Sequence, residues 1–583
     1  MTISPASPLQ LRRRAGGLVT VIGLVWLLLA GRLIQLQGWQ SADFSQRASR
    51  QSRVVEEVIP RPGDIFDVQG RLLATTIRAR SLFVVPSEVD NRWTFASDLA
   101  TALSLDADDL YVRLGLHADK QFLWIKRRLS EADVERIRAL ELPPASWGFR
   151  EEYQRIYPHG ALAAQVLGLR DIDGIGRGGI EESCDERLRG QAGQRWLTRD
   201  ARGRVIDVID DPDHVAQPGR NVRLTIDSVL QLYTEQALDD LVRERRPEAC
   251  CAIVMHPSTG QILAMASRPT FDPNTPDHVP EDAWKNRAIA DIYEPGSTIK
   301  PIFVAYGLDR QILSIHDTLD CEWGRYRMGQ RLLHDHHPYG TLSLTDVLVK
   351  SSNIGMAKVG EKLTNAGLFN AATLFGFGRK TGIELPGEQP GLLHPLEHWT
   401  SYSTGSIPMG HEIATTPLQL ITAHAVLANG GQHLRPRVLL TEDNDATSLQ
   451  ALTSPLVSPD VAKWVVQEPM LQVVSRGTGR KAQLSGYSVF GKTGTAQCLS
   501  PHGGYLHGKY ISSFLCGAPA EKPELLVLVV INQASGSGGE TFGGQVAAPV
   551  AARILRAGLV HQRIPSESAT SPLATRPGAT RRL

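Results

Sequence analysis

The sequence predicts a multidomain chain of the α/β (α+β) class. It has one N-terminal transmembrane helix, a first exported region, and a C-terminal domain whose mixed sheet carries helices on both faces. Three observations predict this. An uncharged run of 17 residues, Ala15 to Gly31, follows Arg12-Arg13-Arg14. At 583 residues the chain can hold two or more domains, each with a full core. From residue 250 the pattern runs strand pair, helical stretch, three strands and a closing helix.

The uncharged run would span roughly 26 Å as a helix, slightly short of the hydrocarbon core. Leu33, Ile34, Leu36 and Trp39 extend its apolar face, and Arg32 can snorkel. Residues 15–37 therefore read as an uncleaved signal anchor and 1–14 as a cytoplasmic tail, with the arginines held inside and the remainder outside. The rival is a cleaved signal peptide. No small-x-small site follows the run, since Ala30 has Leu28 two positions earlier.

Composition excludes several classes. Hydrophobic content of 42% and charged content of 21% are ordinary for globular protein. A net charge of +1, from 62 basic and 61 acidic residues, leaves no electrostatic footprint for nucleic acid. Six cysteines are too few for a disulfide scaffold. Cys250-Cys251 stands in the strand-like run CCAIVM, where neighbours face opposite sides, so buried thiols are expected. No cysteine or histidine spacing resembles a zinc site. The densest group of ligand-type residues is His334-Asp335-His336-His337 with Cys321 upstream. It reads as a solvated loop, with a metal site the open alternative.

The first exported region covers residues 41–225. It opens on the extended stretch RVVEEVIPRPGDIFDVQGRLLATT, with a turn at Val68-Gln69-Gly70. Amphipathic helices follow, among them SEADVERIRALEL, where Ser130 with Asp133 makes an N-terminal cap. VAQPGRNVRLTID (215–227) reads as a strand, and SVLQLYTEQALDDLVRERR as a long helix near the domain boundary. In residues 226–561, CCAIVMHPSTGQILAMAS reads as a hairpin and helices dominate from about 297 to 435. SGYSVFGKTGTAQ, YISSFLCGAPA and ELLVLVVINQ are three further strands, and VAAPVAARILRAGLV is the last helix. The tail 562–583, rich in Ser, Thr, Pro and Arg, reads as disordered.

Three short stretches carry the chemistry. YEPGSTIKPI (293–302) places Ser297 at a helix start and Lys300 one turn on, facing the same side. Pro301 is tolerated there, because a first-turn N–H would have no partner anyway. Alone, this is a helix cap beside a solvated lysine. Ser351-Ser352-Asn353 stands at a loop-to-helix junction, and Lys492-Thr493-Gly494-Thr495 lies on a strand. A serine hydroxyl needs a base to become a nucleophile. Lys300 could serve if burial and a neighbouring charge, that of Lys492, keep it neutral. Ser351 could relay a proton to a leaving amine, and the Asn353 amide could bond Lys300 and a peptide. Lys492, Thr493 and Thr495 suit a substrate carboxylate along a strand edge. The backbone N–H groups of Ser297 and Thr495 suit an oxyanion hole. A side chain at Gly494 would crowd a peptide on that strand. Ser352 is expected to pack locally.

S-x-x-K, S-x-N and K-T-G in this order resemble the signature of penicillin-binding proteins and serine β-lactamases. The chain as a whole resembles a class B penicillin-binding protein, a membrane-anchored peptidoglycan D,D-transpeptidase, from the anchor to about residue 560. RPGDIFDVQGRLLA (61–74), RIYPHGALAAQVLG (155–168) and GGIEESCDERLRG (178–190) resemble the family's non-catalytic boxes. Pro62, Val68 and Cys184 depart from the usual pattern there. MHPSTGQILAMASRPTFDPN, TTPLQL (415–420) and FGGQVAAPV (542–550) resemble transpeptidase-domain segments.

The resemblance implies a pedestal (dimerisation) domain over 41–225. It implies a transpeptidase domain over 226–561, with a mainly antiparallel sheet flanked by helices. It implies Ser297 as acylated nucleophile, Lys300 as base, Ser351 and Asn353 in the second motif, and Lys492, Thr493, Gly494 and Thr495 as substrate-binding groups. No cofactor or metal is expected. The implied substrates are D-Ala-D-Ala stem peptides, with β-lactams as mimics. The implied partners are a SEDS-type membrane glycosyltransferase and division proteins at the bacterial inner membrane. Length and a single anchor fit the septal, FtsI-like group. An elongation-type enzyme, a D,D-carboxypeptidase, a membrane-bound β-lactamase, a β-lactam sensor and a cell-wall scaffold are the alternatives. The stretch CLSPHGGYLHGK (498–509) is expected to border the cleft.

Overall fold

Local chemistry sets the element boundaries. Asp227 Oδ1 accepts the N–H groups of Val229 and Leu230 and so starts the helix Ser228–Arg245. Ser130 Oγ does the same for Glu131–Arg138 through the Asp133 N–H at 3.1 Å, as the sequence predicts. The computed structural model describes residues 8–43, 53–199, 205–277, 279–440, 454–500, 504–536 and 541–566.

The described residues fall into two compact units, Met1–Arg61 with Gly190–Gly219, and Pro62–Arg189 with Arg220–Leu583. The first contains the helix Pro8–Ile34 (α1), which overlaps a helical span from Arg12 to Trp39 long and apolar enough to cross a membrane. It also contains three antiparallel strands, Arg53–Val58, Gly193–Arg199 and Val205–Asp210, with the second in the middle.

In the second unit, Leu72–Val84 pairs antiparallel with Ile65–Phe66, Leu123–Leu129 and Trp147–Ile156. The strand expected over 215–227 is only Val222–Arg223, parallel to Ile65–Phe66. It ends early because Leu224 turns to bridge Leu439 and Asp227 is already a helix cap.

The larger sheet of this unit has five strands. They are β1 (Ala249–Met255), β2 (Ile262–Arg268), β3 (Phe490–Leu499), β4 (Tyr505–Ala518) and β5 (Leu525–Asn532), in the order β2-β1-β5-β4-β3. Every pairing is antiparallel, so the sheet is not mixed. The links β1–β2, β3–β4 and β4–β5 are too short for the crossover a parallel pair requires.

Both faces of this sheet are buried, and β1 shows it residue by residue. Cys250, Ala252 and Val254 enter one core with Ser228–Arg245 (α2) and Gly543–His561, the last helix described. Cys251, Ile253 and Met255 enter the other, with Lys300–Asp309 (α3) and Pro417–Ala428. That is why adjacent cysteines are both buried and free. The helical stretch expected from 297 to 435 is broken by short two-stranded ribbons, including Arg325–Met328 with Arg331–His334. Of the tail expected to be disordered, Ile564 is packed, its carbonyl accepting from Tyr487 at 3.0 Å. Residues 567–583 lie outside the described residues.

Candidate active site

Pro295-Gly296 ends one segment, and Gly296 turns at φ +56°, a left-handed conformation that favours glycine. A Cβ there would also lie 2.9 Å from the Thr495 carbonyl oxygen. The chain then makes a 3-10 turn, Gly296–Ile299, and passes into α3 at Lys300, with Pro301 in the first turn as expected. Ser297 is partly exposed, and its hydroxyl has no hydrogen bond among the described residues. Lys300 is fully buried.

Lys300 Nζ donates to Ser351 O at 2.8 Å, Asn353 Oδ1 at 2.9 Å and Ser352 O at 3.2 Å, and lies 3.4 Å from Ser351 Oγ. Lys492, equally buried, donates to Ser351 Oγ at 2.9 Å and to Thr493 O at 3.2 Å. One hydroxyl thus bridges two lysines that lie far apart in the sequence. Ser351 reaches this place because it caps the helix Leu344–Lys350 in the left-handed conformation, φ 59° and ψ 38°. For a non-glycine residue that conformation costs about 1–2 kcal/mol.

Burial pushes the Lys300 amine down to about 7, against the opposing pull of the Asp335 carboxylate. Burial, and then the Lys300 charge, drives Lys492 well below its ordinary value. Near neutrality the pair holds one proton more readily than two. Four of the sequence-predicted residues (Lys300, Ser351, Asn353 and Lys492) are therefore joined by direct hydrogen bonds.

The third motif lies against the turn Gly296–Ile299, which carries Ser297. A Cβ on Gly494 would sit 2.3 Å from Ser513 Oγ, 2.8 Å from Thr298 Cγ2 and 2.9 Å from Pro295 O. The glycine thus lets β3 approach the protein beneath it, a reason additional to any substrate above. Thr493 is buried with its hydroxyl 2.8 Å from that of Thr478. Thr495 is half-buried, and its Oγ1 donates to Gly494 O and accepts the Gly543 N–H at 3.1 Å.

Sequence reasoning missed Asp335. Its carboxylate accepts the Ser352 hydroxyl at 2.6 Å, the Asn353 N–H at 2.5 Å and the Ile354 N–H at 3.1 Å. It holds the start of the helix Asn353–Leu374 (α4), where charge and open N–H groups both favour an anion. Ser352 does more than pack locally, since its hydroxyl also accepts the Gly355 N–H as the N-cap of α4. The His334-Asp335-His336-His337 loop is therefore tied into the second motif. Its His334 carbonyl accepts from Asn353 Nδ2, and Cys321 Sγ lies 3.3 Å from Ser352 Oγ. Among the described residues no group of three His, Cys, Asp or Glu is placed to hold a metal ion.

Of the 498–509 stretch, residues 501–503 lie outside the described residues, and Tyr505 reaches the same neighbourhood. Tyr505 donates its hydroxyl to the carboxylate of Glu294, three residues ahead of Ser297, at 3.1 Å. His411 Nδ1 and the Glu412 N–H complete that carboxylate's partners.

Residues 250–556 match the model of the penicillin binding protein transpeptidase domain, and residues 57–224 that of the penicillin-binding protein dimerisation domain. The chain is similar to the peptidoglycan D,D-transpeptidase FtsI of Escherichia coli, 32% identical over 91% of this chain and 89% of that one. It is also similar to the stage V sporulation protein D of Bacillus subtilis, 34% identical over 85% and 78%. Among solved structures it resembles penicillin binding protein 3 of Mycobacterium tuberculosis complexed with aztreonam. There the TM-score is 0.66 at 25% identity, covering 88% of this chain and 98% of the other.

Proposed function

The chain belongs to the class B penicillin-binding proteins and is a serine-type peptidoglycan D,D-transpeptidase, and from that premise we propose the residues that perform the reaction. Ser297 is the nucleophile. Lys300 takes the hydroxyl proton as Ser297 Oγ bonds to the carbonyl carbon of the penultimate D-Ala. The peptide C–N bond then breaks, and the leaving D-Ala amine receives a proton through the Ser351 hydroxyl. In the second half an amine of a neighbouring stem attacks the ester and gives up a proton to the same relay. The C–Oγ bond breaks, and Ser297 recovers its hydrogen. Asn353 orients Lys300 and the donor peptide. Lys492, Thr493, Gly494 and Thr495 form the edge that binds the peptide and its carboxylate, and the N–H groups of Ser297 and Thr495 face the oxyanion.

The observation that carries this reading is the Ser351 hydroxyl, within 3.4 Å of Lys300 Nζ and 2.9 Å of Lys492 Nζ. It supplies the proton path that the proposed reaction needs on the side of the base. β-Lactams bind as substrate mimics and acylate the same serine.

We also assign residues 1–14 to the cytoplasm, 15–37 to the anchor, 41–225 to the pedestal and 226–561 to the transpeptidase domain on the outer side of the inner membrane. The septal role, beside a SEDS-type glycosyltransferase, is supported by the single anchor and by FtsI among the relatives. The test of the chemistry is the intact mass of the full chain in detergent after brief penicillin treatment, followed by peptide mapping. One adduct on Ser297, lost in Ser297→Ala, is expected. An adduct mapped to another residue, or none on protein that melts cooperatively, overturns the assignment.

A further inference from the structure

Behind the nucleophile's turn stands a histidine that belongs to none of the three motifs. His424 lies within Pro417–Ala428 (α5), a helix buried along its whole length, and is itself 1% exposed. Its Nε2 is 2.8 Å from the main-chain oxygen of Thr298. A carbonyl only accepts, so Nε2 carries the proton and Nδ1 does not. Nδ1 is buried and has no hydrogen-bond partner among the described residues. An imidazole with one bare nitrogen in the core is costly against an apolar side chain of equal size. Its one bond therefore calls for a reason.

The reason lies in the backbone of the motif. Thr298 sits between Ser297 and Lys300, where the 3-10 turn Gly296–Ile299 passes into α3. In that tight turn the Ser297 carbonyl takes the Lys300 N–H. The Thr298 carbonyl would take the next one, but the next residue is Pro301, which has none. His424 brings a donor from a separate helix, and that helix is anchored by a capping box between Thr416 and Gln419. The Thr298 hydroxyl, bonded to Pro295 O at 2.7 Å, holds the other end of the turn.

We propose that His424 is a positioning residue for acyl transfer, its Nε2–H holding the Thr298 carbonyl and so fixing the turn that presents Ser297 Oγ to Lys300 Nζ. The inference rests on Ser297 being the nucleophile. The ring must stay neutral to do this, since a second N–H would have no acceptor and would bring a further positive charge toward the Lys300–Lys492 pair. Burial, against the opposing pull of the Thr298 carbonyl and with the Lys492 charge adding to it, pushes the imidazole down to about 4.

The test uses the full chain in detergent and a near-isosteric pair, His424→Met and His424→Gln. The glutamine amide can place an N–H at the reach of Nε2, and methionine cannot. Saturation kinetics of acylation by a fluorescent penicillin separate the acylation rate constant from the saturation constant. The Met variant should acylate about ten- to a hundredfold more slowly at saturation, with its saturation constant unchanged. The Gln variant should recover most of that rate at a similar melting temperature. A Met variant as fast as the parent, a loss confined to the saturation constant, or equal losses in Met and Gln would each overturn the role of His424. A parent protein that forms no adduct on Ser297 would defeat the nucleophile assignment instead, so the two failures are distinguishable.

Discussion

Lys492 Nζ donates to Ser351 Oγ at 2.9 Å, although 141 residues separate the two in the chain. Because Lys300 Nζ stands 3.4 Å from the same oxygen, the hydroxyl is the only side chain that touches both amines by hydrogen bond among the described residues. Ser351→Ala should therefore slow acylation by about a hundredfold or more, in the range of lost general acid–base catalysis. The variant should still fold, since the Ser351 carbonyl that binds Lys300 remains. Stopped-flow acylation with a chromogenic β-lactam checks this, and a loss of less than threefold would remove Ser351 from the proton path.

Lys300 acts as a base only when neutral. With its amine pushed down to about 7 by burial, the acylation rate should rise with pH through about 7 and level off above it. Stability moves in the same direction. Unfolded lysine holds its proton to about 10.4, so between about 7 and 10 the unfolded chain binds more protons than the folded one. Folding stability therefore climbs with pH across that window and is lowest below about 7, where both states are protonated. Melting temperatures from pH 6 to 9 should rise in the parent and rise less steeply in Lys300→Met. Equal slopes would contradict the burial argument.

Asp335 gathers three donors at the start of α4, and all three belong to Ser352, Asn353 and Ile354. Asp335→Ala should cost about 1–3 kcal/mol, as expected for a lost charged cap with buried donors left unpaired. Because the same donors set Asn353 against Lys300, acylation should fall about tenfold as well. Calorimetry and acylation kinetics on the same preparation read both. Loss of stability with unchanged acylation would make the cap purely structural.

Gly494→Ala meets Ser513 Oγ, Thr298 Cγ2 and Pro295 O at less than 3 Å. Two of these belong to the segment that carries Ser297, so β3 must move away from the nucleophile. An overpacking cost of about 1–3 kcal/mol and at least a tenfold slower acylation are expected. Ser513→Ala in the same chain should return only part of the loss, because Pro295 O and Thr298 remain in place. A crystal structure of the variant with β3 unshifted would contradict this account.

The long apolar N-terminal helix, the hairpin Ala249–Met255 with Ile262–Arg268, the last three strands and the closing helix were all legible in the sequence, because each is written in a local period or a run of apolar residues. So were the three short motifs, of whose residues the fold joins Lys300, Ser351, Asn353 and Lys492 by direct hydrogen bonds. The register and order of the large sheet were not legible. Apolar strands such as CCAIVM and LLVLVVIN have no polar face to orient them, and only the two cores they separate decide which residues face which helix. Asp335 was hidden for a different reason. A short acidic-histidine loop looks the same in sequence whether it is solvated, binds a metal or caps a helix that begins 18 residues later.

The sequence by itself determined the chemistry on offer: a serine, two lysines, a second serine and an asparagine, carried on a helix start, a loop and a strand. Local propensity and side-chain type are properties of short stretches, and short stretches carry them. The tertiary structure alone decided that Ser351 lies between the two lysines, that both amines are buried, and that a histidine 126 residues beyond Thr298 bonds that residue's carbonyl in the turn carrying Ser297. Burial and proximity are sums over the whole fold, and they turn two ordinary lysines into a coupled buried pair whose amines lose a proton far more readily than usual.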